Sequence, residues 1–135
     1  MFNIFEIAGS AMNAQNIRLN TVASNLANAD TISSSPDQVY QAKHPLFAEL
    51  LQEAGNKQGV VGVQVKEIVE SKAPPLVRYE PNHPLADAQG NIYLPNINMV
   101  EEMANMMSAS RSYQNNVEVF NTSKQLLMAT LSLGR

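Results

Sequence analysis

The sequence contains no cysteine at any of its 135 positions. That excludes disulfides and thiolate metal sites, and it leaves the redox compartment unread. Charge is also scarce: Lys and Arg number 9 against 12 Asp and Glu, for a net charge of −3. Such a balance gives no electrostatic footprint for nucleic acid or an anionic membrane surface, so neither is expected as a partner. No apolar run approaches the roughly 18 residues that span a bilayer, and the chain is expected to be soluble, without direct membrane insertion. Glu6 lies near the N-terminus and no Lys or Arg precedes Arg18. This is not the pattern of a secretory signal, so the chain is expected to travel without a cleaved signal peptide.

The residues of catalysis are missing too. The two histidines, His44 and His83, each precede a proline and have no short-spaced partner, so no zinc site is expected and both read as surface-loop residues. Asp87-Ala88-Gln89-Gly90-Asn91 resembles the opening of a calcium loop but lacks the downstream bidentate Glu; a simple turn is the expectation. Glu101 and Glu102 are adjacent and therefore point to different faces of a helix, which rules them out as a paired acid and base. There is no Gly-x-Ser-x-Gly elbow and no phosphate-cradling glycine loop. No catalytic, cofactor-binding or metal-binding residue is expected, and the chain does not read as an enzyme.

Asparagine, by contrast, is abundant. The sequence holds 15, six of them in residues 1 to 31 and five in residues 98 to 135. Asn is a weak helix former, so helices rich in it must draw their stability from packing. Its amide both donates and accepts, which suits repeated copies of one surface better than like charges would.

Residues 3 to about 30 read as one helix, with Asn3 and Glu6 as a capping box and Phe2 and Ile7 as a hydrophobic staple. Phe5, Ala8, Met12, Leu19, Val22, Leu26 and Ala29 recur at alternating spacings of four and three, with Gln15 the one polar residue on the stripe. Ser33-Ser34-Ser35-Pro36 lies beyond its end. The C-terminal segment repeats the design: Asn98 as cap, Glu101 as its partner, then Met99, Met103, Met106, Ser110, Tyr113, Val117, Phe120, Lys124, Leu127 and Leu131 on the same period, closed by Gly134. Helices of these lengths would run roughly 40 and 50 Å and could pair along most of their extent. Four of the seven methionines fall between 99 and 107, consistent with an adaptable contact surface or a plain helix core.

Between them, residues 37 to 97 hold all prolines but Pro36 and change period. Val61, Val63 and Val65 alternate with polar or small residues, and Leu76–Tyr79 and Asn91–Leu94 follow turn signals, which predicts three short strands. Pro45, Leu46, Phe47, Leu50 and Leu51, ending at Gly55, predict a short helix. The expected fold is mainly α with a small β region. An N-terminal helix (1–31) and a C-terminal helix (98–135) pair as a coiled coil and form the assembly part, and 32–97 forms a middle segment of short antiparallel strands.

Ser10-Ala11-Met12-Asn13-Ala14-Gln15-Asn16-Ile17-Arg18-Leu19-Asn20, followed by Ala23-Ser24-Asn25-Leu26-Ala27-Asn28-Ala29, closely resembles the N-terminal signature of bacterial flagellar rod and hook proteins. Residues 108 to 122, from Ser108-Ala109-Ser110-Arg111 to Phe120-Asn121-Thr122, resemble the matching C-terminal signature, with Asn115 where Ala is commoner. Tyr79-Glu80-Pro81-Asn82-His83-Pro84-Leu85-Ala86-Asp87 and Leu94-Pro95-Asn96-Ile97-Asn98 resemble the proximal rod members in particular. The resemblance implies a structural subunit of the basal-body rod that transmits motor torque across the periplasm. It implies extended chain from about 32 to 60, export through the flagellar type III apparatus, and contacts with other rod proteins, with the base components joining rod to membrane ring, and with copies of itself. The assembly residues expected from the two stripes are Phe5, Met12, Leu19, Val22, Leu26, Met103, Met106, Tyr113, Val117, Phe120, Leu127 and Leu131. The competing expectation is a stand-alone helical adaptor or export chaperone whose helices pair privately and bind a client.

Overall fold

The computed structural model describes residues 2–54 and 57–135, without the side chains of residues 2, 52–54, 57, 58 and 60. Two long helices, α1 (Phe2–Ala27) and α2 (Met99–Leu133), carry between them four strands: β1 (Lys43–Ala54), β2 (Lys57–Glu70), β3 (Leu76–Tyr79) and β4 (Asn91–Leu94). The fold is mainly helical with two small antiparallel sheets, as expected from the sequence, and the sheets pair β1 with β2 and β3 with β4.

The helices run antiparallel, because Phe5 meets Phe120 at one end of the interface and Asn25 meets Glu102 at the other. The Phe5 and Phe120 rings pack edge to face with centroids 5.0 Å apart, the arrangement that places a positive ring edge on a negative face. Asn98 caps α2 as expected: its side chain accepts from the backbone N–H groups of Val100 and Glu101 at 3.1 and 3.3 Å. Gly134 closes the helix with its N–H on the Thr130 carbonyl. The other end of the chain departs from expectation. α1 already includes Phe2 and Asn3, so Asn3 lies inside the first turn and not ahead of it; the Phe2 half of the expected staple lies outside the described side chains. α1 stops at Ala27, where the Asn28 side chain donates to the Ser24 carbonyl and two further turns carry the chain to Thr31.

The short helix expected at 45–54 is absent; those residues form β1, hydrogen-bonded along its length to β2. The apparent helical spacing of Leu46, Phe47, Leu50 and Leu51 arises because both faces of this strand carry apolar residues, and a local pattern cannot separate that case from a helix. β2 is correspondingly longer than the expected 61–65, and His44 lies in β1, not in a loop. The pairing shifts register between Leu46 and Phe47 and again between Leu50 and Leu51. Each shift leaves one extra residue on β2, a pair of bulges that increase the local twist and bend the hairpin.

The second sheet is joined to the end of α1. Ser33 and Tyr93 exchange two backbone hydrogen bonds, of 2.9 and 3.0 Å, which adds one rung to the outer edge of β4. The Asp87–Asn91 segment is the turn the sequence suggested: Asp87 accepts from the Gln89 and Asn91 N–H groups and from the Tyr93 hydroxyl, each at 2.9 Å. Gly90 occupies the left-handed region there, at φ +83°, a conformation only glycine adopts without strain.

Candidate assembly surface

The fully buried residues of the two helices are mostly small or polar. On α1 the buried residues are Ala8, Ala14, Thr21, Val22 and Asn25; on α2 they are Glu102, Ala109 and Ser123. Small residues let the two backbones approach, and what is not apolar must find hydrogen-bond partners.

Asn25 meets that demand in full. It is completely buried, and its Nδ2 donates to the Lys43 carbonyl at 2.9 Å and to Glu102 Oε2 at 3.3 Å. Its Oδ1 accepts from the Lys43 N–H and from the Tyr40 hydroxyl, both at 2.9 Å. The amide thus pairs with both backbone groups of Lys43 as a neighbouring strand would, at the first residue of β1. Since the Tyr40 proton goes to Asn25, the Ser24 hydroxyl 3.0 Å away donates to the Tyr40 oxygen. One side chain therefore ties α1 to α2 and to the root of the β1–β2 hairpin.

A second tie lies about four turns toward the start of α1. Ser10 donates to the Ile7 carbonyl and accepts from the Val63 N–H at 3.0 Å. Gly62 faces the same serine so closely that a Cβ there would collide with the Ser10 hydroxyl. The hairpin consequently lies along α1 from Asn25 to Glu6, whose neighbours include Leu50, Leu51 and Val61.

The expected assembly residues divide into two groups. Val22 is buried, and Phe5, Met12, Leu19, Leu26, Met106, Val117, Phe120 and Leu127 are half-buried; Met103, Tyr113 and Leu131 are exposed. Along α2 the inward stripe passes through Glu102, Ala109 and Ser123 where the apolar pattern pointed to Met103, Ser110 and Lys124. The stripe is rotated by one residue at those levels, and the displaced methionine faces outward. Asn25, Glu102, Ser10 and Gly62 were not assigned to packing from the sequence, although Ser10 and Asn25 lie within the N-terminal signature and α1 is unusually rich in Asn. Gln15, the polar residue on the expected stripe of α1, does point inward, and its Oε1 accepts no hydrogen bond from the protein.

Among the described residues no three His, Asp or Glu side chains are grouped to hold a metal ion. A small cavity beside Val39, Tyr40, Ala42, Ser71 and Pro75 has a volume of about 20 Å³, room for little more than one water. No described helix is long and apolar enough to cross a membrane. What the surface does offer is apolar area: Val100, Met107, Leu126, Met128, Leu131 and Leu133 on α2 are each more than 60% exposed.

Comparison with known proteins places these packing surfaces in a family. The model for the family described as flagella basal body rod protein matches residues 5–32, and the model for the flagellar basal body rod FlgEFG protein C-terminal matches residues 88–133. Flagellar basal-body rod protein FlgC of Salmonella typhimurium is 50% identical over 135 residues, covering 100% of this chain and 98% of its own. The chain belongs to the FlgC family of flagellar basal-body rod proteins. The FlgC of Escherichia coli O157:H7 is 51% identical over the same spans, and that of the Buchnera aphidicola of Acyrthosiphon pisum is 42% identical over 98% of this chain and 97% of its own. The two family matches cover most of α1 and all of β4 and α2, the helices that Asn25 and Glu102 join, and the pairwise similarity extends through the hairpin as well.

Proposed function

We propose that this FlgC-family chain is a structural subunit of the flagellar basal-body rod, in which the paired terminal helices pack against neighbouring subunits and transmit motor torque across the periplasm. The observation that carries the reading is half-identity to curated FlgC proteins over the whole chain. The surface supports it, since α2 keeps large apolar side chains exposed along its length, more than one monomer's helix normally leaves to water. Phe5, Val22 and Phe120 hold the pair together from within, whereas Met103, Tyr113 and Leu131 are placed to meet other subunits. The partners are other rod proteins, the base components that link rod to membrane ring, and further copies of this chain. The chain leaves the cytoplasm through the flagellar type III apparatus without a cleaved signal peptide, and it performs no catalysis.

A strain lacking its own FlgC, complemented with an epitope-tagged version of this chain, tests the proposal. Recovery of swimming, with the tag on the rod of isolated basal bodies, is the expected result. Recovery of swimming with the chain retained in the cytoplasm and absent from basal bodies would overturn it in favour of an export adaptor.

A further inference from the structure

α2 is longer than the helix it pairs with. Thirteen of its residues follow Phe120, whereas three of α1 precede Phe5. The last ten or so residues of α2 therefore run about 15 Å past the described start of α1. The inward stripe continues into this overhang at Leu127 and Leu131, and Leu126, Met128 and Leu133 lie beside it, so the surface is apolar on most sides. Its charges are Lys124 and Arg135, with no acid after Glu118.

The hairpin offers the counterpart. Paired residues on adjacent strands share a face, and Gly62 with its partner Leu50 faces Ser10 of α1. Phe47 and Glu49 therefore point away from α1, together with Val65 and Val63 opposite them. Phe47 is 43% exposed, and Glu49, two residues on along the same face, is exposed as well. This outward face is apolar with an acid in it; the overhang is apolar with bases at its ends. Within one chain the two do not meet, because α2 makes no extended contact with either hairpin strand.

We infer that the α2 overhang of one copy docks on the outward face of the β1–β2 hairpin of a second copy, with Lys124 or Arg135 set against Glu49. The inference rests on the reading of the chain as a rod subunit. Two different surfaces of the same chain make the contact, so each added copy leaves a free overhang at one end and a free hairpin at the other. Such heterologous contacts stack subunits in a helical or stepped series and do not close as a two-fold dimer does.

The absence of native cysteine makes the test direct. Leu131→Cys and Phe47→Cys are made in separate full-length chains, produced together, and oxidised both as purified protein and in isolated basal bodies. The expected product is a disulfide-linked pair joining one variant to the other, several-fold above either self-linked pair and above a control that places the cysteine at the exposed Asp37. Glu49→Lys should lower the yield about three- to fivefold, and adding Lys124→Glu should restore much of it. Predominant self-linkage, linkage of Leu131→Cys only to a different rod protein, or no linkage in either preparation overturns the inference. Blotting the same basal bodies for the chain separates the two levels: chain present without the mixed pair refutes the docking alone, and chain absent refutes the rod reading.

Discussion

Replacing Asn25 with alanine removes a side chain that satisfies four groups at once: the Lys43 N–H and carbonyl, the Tyr40 hydroxyl and the Glu102 carboxylate. Each such bond contributes roughly 0.5–1.5 kcal/mol net, and a buried group left without a partner costs about 1–3 kcal/mol. Tyr40 keeps Ser24 as a neighbour, so the Lys43 backbone pair and Glu102 bear most of the loss. The sum is about 3–5 kcal/mol, a large share of the 5–15 kcal/mol that separates a folded domain from its unfolded chain. Asn25→Asp should be at least as damaging at neutral pH despite its matching shape, because it deletes both donors and sets a second carboxylate beside Glu102. Urea unfolding followed by circular dichroism gives the magnitude, and amide hydrogen exchange at Lys43 gives the location. A loss under 1 kcal/mol for Asn25→Ala, with the Lys43 amide still protected, would show that the four bonds are not what holds the hairpin to the helices.

Gly62→Ala should weaken the hairpin's attachment by about 1–3 kcal/mol through collision with Ser10, while Gly59→Ala, which meets nothing within 4 Å, should leave it unchanged; thermal unfolding of the two variants compares them. Phe5→Ala and Phe120→Ala should each destabilise the helix pair, with a coupling of about 0.5–1.5 kcal/mol in a double-mutant cycle that reports the edge-to-face contact itself. Asn98→Ala should cost about 1 kcal/mol and increase exchange at the Val100 and Glu101 amides, whose acceptor it removes. Hydrogen bonds from the Asn91 N–H and the Tyr93 hydroxyl hold the Asp87 carboxyl below its ordinary value of 3.8, and the same bond raises Tyr93 above 10.0. The acid thus adds stability above about pH 4 that is lost as pH falls through its depressed pKa. The tyrosine adds stability below about pH 10 that is lost as pH rises through its raised one. Titration followed by NMR at β4 should show both transitions, and Asp87→Asn should abolish the acidic one.

Much of this architecture follows from local chemistry that the sequence states openly. The two long helices, the Asn98 cap, the Gly134 stop and the Asp87 turn each depend on residues within a few positions of one another, and so do the two terminal stretches that resemble rod proteins. Decisions between distant segments were not legible. Leu46, Phe47, Leu50 and Leu51 fit a helix as well as a strand with two apolar faces, and only pairing with β2 chooses the strand. On α2, Met103 competes with Glu102 for the inward position, and hydrophobicity favours the methionine. The structure takes the glutamate, whose Oε2 accepts from Asn25 across the interface, and leaves Met103 exposed. Asn25 itself reads as a poor helix residue until Lys43 of β1 is brought beside it. A polar side chain is cheap to bury only when its partners arrive from elsewhere in the chain, and that arrival is a property of the tertiary structure alone.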